Sequence, residues 1–251
     1  MRPLVIGHRG SRGRGLTENT LEAFDDALVG GADGVELDVR LTRDGVPVVA
    51  HDADLRSVTA GACVSRIADL TVGALPRLGG GEALPTLEQA LDVCAGRGVV
   101  NVELKADVPD RRALVEHAAR ALRRCRRVDV VVSSFHPEIV LRAARELPGT
   151  PRAILVGART RRLRIALPVA MSRVVEAAHV EDPSLDAVRV AWLSRIGLRV
   201  VAWTVNDVSR ARQLASWGAR WIITDDPRAL VQAMSPRPPS ALAHSQSTRT
   251  T

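Results

Sequence analysis

Short β-branched and aliphatic runs alternate with segments of helical periodicity along nearly the whole chain. This alternation is the feature that most constrains the fold, because it is the pattern of parallel strands joined by crossover helices. Strands are expected at 3–7, 33–39, 99–104, 128–133, 152–156, about 172–177, 198–203 and 220–224. Helices are expected near 20–30, 86–96, 110–124, 137–147, 183–196, 206–217 and 226–234, with 157–168 as an irregular connection. Asn19 with Glu22 reads as a capping box, and Thr86 with Glu88 and Gln89 opens the next helix. Pro137, Pro183 and Pro227 mark helix starts, where a missing N–H costs least. Eight strands in about 230 residues predict an α/β protein, a (β/α)8 TIM barrel. An open doubly wound sheet is the competing architecture, but no G-x-G-x-x-G follows the first strand.

One stretch interrupts the alternation. Asp44-Gly45 sits between two alternating runs, a hairpin signal. A turn centred on that dipeptide sets Arg43 opposite Val46 and Asp38 opposite His51. Residues 52–84 then form a small insertion after the second strand and its hairpin, lying over the catalytic face. Residues 1–234 are expected as one barrel domain, and the Pro/Ser/Thr-rich tail 235–251 as disordered.

In a barrel, chemistry gathers at the C-terminal ends of the strands. Those ends carry His8-Arg9, Glu36-Leu37-Asp38, Glu103-Leu104-Lys105, Ser133-Ser134-Phe135, Trp203-Thr204 and Thr224-Asp225, and the hairpin returns His51-Asp52. Side chains alternate with period two, so Glu36 and Asp38 share one side of their strand, and Glu103 and Lys105 share one side of theirs. If both pairs face inward, three carboxylates converge. Their mutual repulsion calls for a cation, and an all-oxygen donor set suits Mg2+ or Ca2+ rather than zinc. The competing arrangement is an ion-pair network with Arg9, Arg40 and Lys105. Arg9 and Lys105 can hold phosphate oxygens, the first as a fork and the second as a point charge. His8 and His51 can serve as an acid/base pair for in-line displacement. Phe135 and Trp203 read equally as packing or as a substrate wall, Thr224-Asp225-Asp226 as a helix cap, and His117 and His136 as structural. His179 is placed near the end of a strand, within possible reach of the site.

These residues fall in stretches that together resemble one family: "GHRG", "ENT", "GADGVELDV", "LTRDGVPVVAHD", "PTLEQAL", "NVELK", "WTVND" and "ITDDP" are similar to the glycerophosphodiester phosphodiesterase family, in its order, from His8 to about Pro227. The resemblance implies a TIM barrel with a small insertion that hydrolyses glycerophosphodiesters to glycerol 3-phosphate and an alcohol, using Mg2+ or Ca2+. It implies His8 and His51 as the acid/base pair, Glu36, Asp38 and Glu103 as metal ligands, and Arg9 and Lys105 as phosphate contacts, with Glu18 of "ENT" bracing Arg9. Two departures stand out: Thr17 replaces a Pro frequent before "ENT", and 157–182 matches poorly. The alternatives are a lysophospholipase D or phospholipase C-like enzyme acting on a lipid phosphodiester, and a basic barrel that binds anions or nucleic acid without catalysis.

Composition narrows these. The net charge of +7 favours anionic partners, but two Phe, four Trp and no Tyr leave little for stacking on bases. Among 35 basic residues Lys105 is the sole lysine, which points to a place needing a compact ammonium. Arg123, Arg124, Arg126 and Arg127 precede the fourth strand, on the far face. Arg159, Arg161, Arg162 and Arg164 follow the fifth, on the catalytic side, and read either as a solvated helix face or as a weak contact for anionic substrate or lipid headgroups. No signal-peptide pattern opens the chain and no apolar run reaches membrane-spanning length, so a cytoplasmic protein without stable membrane insertion is expected. Cys63, Cys94 and Cys125 lie far apart and are expected as free thiols.

Overall fold

A computed structural model describes residues 2–12, 15–78, 81–125, 127–158 and 168–234. The strands are β1 (Leu4–His8), β2 (Gly34–Leu41), β3 (Pro47–Val49), β4 (Val99–Leu104), β5 (Asp129–Ser134), β6 (Arg152–Val156), β7 (Ala177–Glu181), β8 (Arg199–Trp203) and β9 (Trp221–Thr224). The helices are α1 (Leu21–Val29), α2 (Leu87–Cys94), α3 (Arg111–Arg124), α4 (Pro137–Glu146), α5 (Ala187–Arg195), α6 (Val208–Trp217) and α7 (Pro227–Met234). All strands but β3 run parallel, and β1 pairs with both β2 and β9, closing a (β/α)8 barrel; β3 adds antiparallel to β2.

Alternation along each strand separates two kinds of core. Outward residues such as Val35, Leu37, Val102, Leu104, Ala178, Val180 and Ala202 pack under the helices. Inward residues Ile6, Val131, Ala153, Ala177, Val201 and Ile223 fill the barrel floor. Val48, Ala50, Leu55, Ile67, Leu78 and Leu84 form a separate cluster where 52–84 folds over the hairpin. Burial at this scale, about 25 cal/mol per Å² of apolar surface, supplies the main driving force for closing the ring.

Four local expectations need correction. The hairpin pairs Val39 with Val49, Arg40 with Val48 and Leu41 with Pro47, one residue away from a turn centred on Asp44-Gly45. The loop holds three residues: Thr42 accepts from the Gly45 amide at 3.0 Å, and Gly45 takes φ +80°, the left-handed position such a loop requires. Asp38 therefore faces Ala50, whose amide donates to its carbonyl at 2.9 Å, and His51 lies past the ladder. Second, β7 begins at Ala177, not near 172, because the Val174 and Val175 amides both donate to Met171 O and close the preceding turn. Third, the α5 cap is Asp186, and Pro183 sits in a single 3-10 turn before it. Fourth, α1 is capped by Thr20, whose hydroxyl accepts from the Ala23 amide at 3.2 Å; Asn19, at φ +58°, lacks the extended backbone of a cap.

Other starts form as read. Thr86 and Gln89 make a reciprocal capping box, and Pro137 and Pro227 open α4 and α7. On the far face Arg123 donates to Glu146 O and Arg124 pairs with Glu88. The three cysteines are free. Arg126, the cluster Arg159, Arg161, Arg162 and Arg164, and the tail 235–251 lie outside the described residues. Among the described residues no helix is long and apolar enough to cross a membrane.

Candidate active site

The loop after β1 folds tightly because two consecutive residues adopt left-handed backbone: Arg9 at φ +56° and Gly10 at φ +86°. A Cβ on Gly10 would lie 2.6 Å from the Ala23 carbonyl carbon, so the close approach to α1 demands glycine. The strained Arg9 conformation serves the site. Its amide donates to Glu36 Oε2 at 3.0 Å, and its carbonyl accepts from the Asn19 amide at 3.0 Å. Asn19 is itself left-handed, and its Nδ2 donates to Asp38 Oδ2 at 3.0 Å. Glu18 accepts from Arg9 at 2.7 Å and pairs with Arg12 at 3.0 Å, bracing two guanidinium groups.

Glu36, Asp38 and Glu103 point to the barrel axis and offer oxygens within 4.8 Å of one another, all buried. Lys105 Nζ lies 3.1 Å from Asp38 Oδ1 and 2.9 Å from Glu103 Oε1, and Arg9 Nε lies 3.1 Å from Asp38 Oδ2. Arg40 takes no part: its guanidinium reaches Asp107 and the His51 carbonyl instead. Two cations against three carboxylates leave one negative charge in a buried volume. The consequence is uneven titration. Burial, then Asp38 and Glu103, push Glu36 well above the carboxylate range, and burial with Asp38 lifts Glu103 to about 7. Burial would raise Asp38 too, but Lys105 and Arg9 outweigh it and hold it at about 2. Burial would lower the Lys105 ammonium, and Asp38 and Glu103 more than offset that. Three hard oxygen donors with a residual negative charge fit a divalent cation.

Each histidine is backed by a carboxylate. His8 Nδ1 lies 2.8 Å from Asp225 Oδ1, and Asp225 also accepts from Arg12 at 2.9 Å and Asn206 Nδ2 at 2.8 Å. Burial works against the Asp225 charge, but the His8 and Asn206 hydrogen bonds and Arg12 hold it well below the usual range. His51 Nδ1 lies 2.7 Å from Asp52 Oδ1, and Ser57 donates to Asp52 Oδ2 at 2.6 Å. Burial lowers the His51 pKa despite Asp38 nearby. With both carboxylates ionised, Nδ1 carries the proton in each ring and Nε2 is the basic nitrogen. Asp225 is thus no helix cap; Asp226 accepts from the Ala229 amide and fills that role.

A cavity of about 150 Å³ is lined by His8, Glu36, His51, Lys105, Phe135 and Trp203, among others. Arg9 and His51 also border an outer groove of about 510 Å³ with Glu18, Asp52, Ser57 and Val58. Phe135 and Trp203 meet edge to face, ring centroids 5.7 Å apart. Among the other histidines, His117 packs against Gly45 and His136 lies 3.9 Å from Glu138. His179 is fully buried inside the barrel.

Residues 8–229 match the sequence model of the Glycerophosphoryl diester phosphodiesterase family. The chain belongs to that family. A glycerophosphodiester phosphodiesterase of Caldanaerobacter subterraneus subsp. tengcongensis is 28% identical over 244 residues, which span 92% of this chain and 97% of the relative. An Oleispira antarctica phosphodiesterase, solved in complex with the product sn-glycerol-3-phosphate, superposes with a TM-score of 0.84 at 27% identity, covering 94% of this chain and 98% of its own. The Thermotoga maritima glycerophosphodiester phosphodiesterase gives a TM-score of 0.75 at 28% identity, with 92% and 98% covered.

Sequence reasoning missed five members of this glycerophosphoryl diester phosphodiesterase site: Arg12, Asn19, Ser57, Asn206 and Asp225. Asn19 and Asn206 stand inside "ENT" and "WTVND", and Asp225 inside "ITDDP", so the matching motifs carried their signal without their roles.

Proposed function

We propose that the protein hydrolyses glycerophosphodiesters to glycerol 3-phosphate and an alcohol. One observation carries the reading: two carboxylate-backed histidines border one small cavity together with Glu36 and Glu103 of a buried carboxylate triad. Glu36, Asp38 and Glu103 would hold one divalent cation, Mg2+ or Ca2+. When bound, it supplies neutralisation of charge developing on the phosphoryl oxygens. Arg9 and Lys105 bind non-bridging oxygens. One imidazole Nε2 takes the proton of the attacking oxygen as the new O–P bond forms, either from water directly or from the glycerol hydroxyl with water then opening the cyclic phosphate. The other, protonated, gives its proton to the departing alcohol oxygen as the old P–O bond breaks. The partner is a small molecule, and we assign a cytoplasmic location, where the three thiols stay reduced.

Cavity size favours a glycerol half over an acylated one, since about 150 Å³ falls below the roughly 300 Å³ at which pockets begin to take larger ligands. Release of the headgroup alcohol should therefore be seen with glycerophosphocholine or glycerophosphoethanolamine, leaving glycerol 3-phosphate, and not with lysophosphatidylcholine, whose cleavage would leave lysophosphatidic acid. Phe135→Ala should raise KM for the small substrates roughly tenfold, the scale of one lost aromatic contact. It should also admit some lysolipid turnover. Lysolipid as the preferred substrate of the wild type would reverse the assignment.

Asp225 acts through His8. Asp225→Asn frees the ring to take the other tautomer, and kcat should fall about 100-fold, with Asp225→Glu recovering part of the loss. The acidic limb of the kcat profile should also move in Asp225→Asn. An unmoved profile with unchanged kcat would remove Asp225 from the mechanism.

A further inference from the structure

The barrel interior beneath the triad contains polar atoms that the proposed reaction does not use. Inward side chains of such a barrel fall into layers contributed by alternate strands. The strand registers and their stagger place Ile6, Asn101, Ala153 and Val201 in one layer. They place Glu36, Ser133, His179 and Ile223 in the next layer up, with β7 four strands from β2 around the ring, so that His179 stands across the axis from Glu36. Ser133 and His179 are fully buried and Asn101 is 1% exposed. Ser133 Oγ, Asn101 Oδ1 and both ring nitrogens of His179 make no hydrogen bond to any described residue. Trp221 from the floor lies against the ring, centroids 6.1 Å apart, and offers it no acceptor.

Leaving four such atoms unmet would cost about 1–3 kcal/mol each, which native interiors avoid with ordered water. Burial, aided by Arg199, drives the His179 pKa down to about 3, so the ring is neutral and presents one donor and one acceptor. A hydroxyl, an amide oxygen and a neutral imidazole offer the two to four partners a buried water needs. The neighbouring side chains are small: Ala153 is in the layer below, and Ser133 stands in the same layer as His179. Asn101 also lines the active cavity beside Glu36, so this interior adjoins the site.

We infer that Asn101, Ser133 and His179 enclose ordered water beneath the carboxylate triad, and that this water props the Glu36 carboxylate in position. The propping role rests on Glu36 as a ligand, as proposed above. The three residues are positioning residues: they act through water on Glu36, never on substrate.

Two measurements on the full-length protein test this. A crystal structure fine enough to show solvent should contain a water within hydrogen-bond distance of a His179 ring nitrogen and of Ser133 Oγ or Asn101 Oδ1. A dry interior overturns the inference. Mn2+ affinity, read by calorimetry without substrate, should fall about tenfold in Ser133→Ala and in His179→Leu, the scale at which groups behind a metal ligand act. Ser133→Ala changes little volume and keeps the test sound if His179→Leu misfolds. Wild-type affinity in Ser133→Ala, with the water visible, overturns the propping role. Failure of the metal reading has a different signature: the wild type itself binds no Mn2+ while the water is in the map, and the propping role falls with it.

Discussion

Replacing His8 with Ala should lower kcat for glycerophosphocholine by about 10³, within the 10² to 10⁴ range for losing a positioned proton-transfer group. The fold should survive. Asp225 keeps Arg12 and Asn206 when the ring is gone, so no buried carboxylate is left bare. His51→Ala should cost as much, because Asp52 keeps Ser57 and Arg40 still grips the main chain at residue 51 through its carbonyl. The double variant should lose scarcely more than either single one, since groups acting in one step do not contribute additively. Steady-state kinetics beside a thermal melt checks all three. Full turnover in either single variant would strip that residue of its part.

Removing a charge from the triad should have an equally large effect, in two directions at once. In chelator, Glu103→Gln should make the protein more stable at pH 8, and with the cation present it should cut turnover. The reason lies in the raised acid: with a folded pKa of about 7, above its ordinary value, Glu103 contributes stability that is complete at low pH and is lost as pH climbs through 7. Glu36, pushed up by the same burial and neighbours, behaves alike. The chelated wild type should therefore melt at progressively lower temperature from pH 5 to pH 8, and Mg2+ or Ca2+ should restore most at the alkaline end. Glu103→Gln should show a weaker slope, no rescue by cation and a loss of activity of about 10³. A chelated wild type that grows more stable toward pH 8 would contradict the electrostatic account. Asp38 is a poor choice for this experiment: its removal takes an ion pair from both Lys105 and Arg9, which keep only Glu103 and Glu18, so loss of a metal ligand and loss of buried charge pairing would be mixed.

How far the sequence reveals this site depends on the range of each interaction. Glu36, Asp38, Glu103 and Lys105 are legible because period two and a strand end settle where they point. Lys105 stands out further as the one lysine, and the structure gives it two carboxylates to bridge. Asp225 is not legible: its partner His8 is 217 positions away, and a local reading of Thr-Asp-Asp before a helix favours a cap. Asn19 misleads for a related reason, since its neighbour Thr20 takes the cap and frees Asn19 for Asp38. The hairpin register differs by one residue from the expected one because Asp44-Gly45 suits both a two-residue and a three-residue loop, and local sequence does not separate them. Similarly, Val174 and Val175 have strand propensity but spend their amides on a turn. The layer shared by Glu36, Ser133 and His179 depends on the stagger of the closed ring, a property no single strand encodes.

The central claim is that three carboxylates hold a divalent cation between two imidazoles. The most direct measurement is anomalous diffraction from a crystal soaked in Mn2+. The account predicts one peak bonded to an oxygen of each of Glu36, Asp38 and Glu103, at about 2.0–2.6 Å, with both histidine rings facing it. No peak there, together with turnover undiminished in chelator, would contradict it.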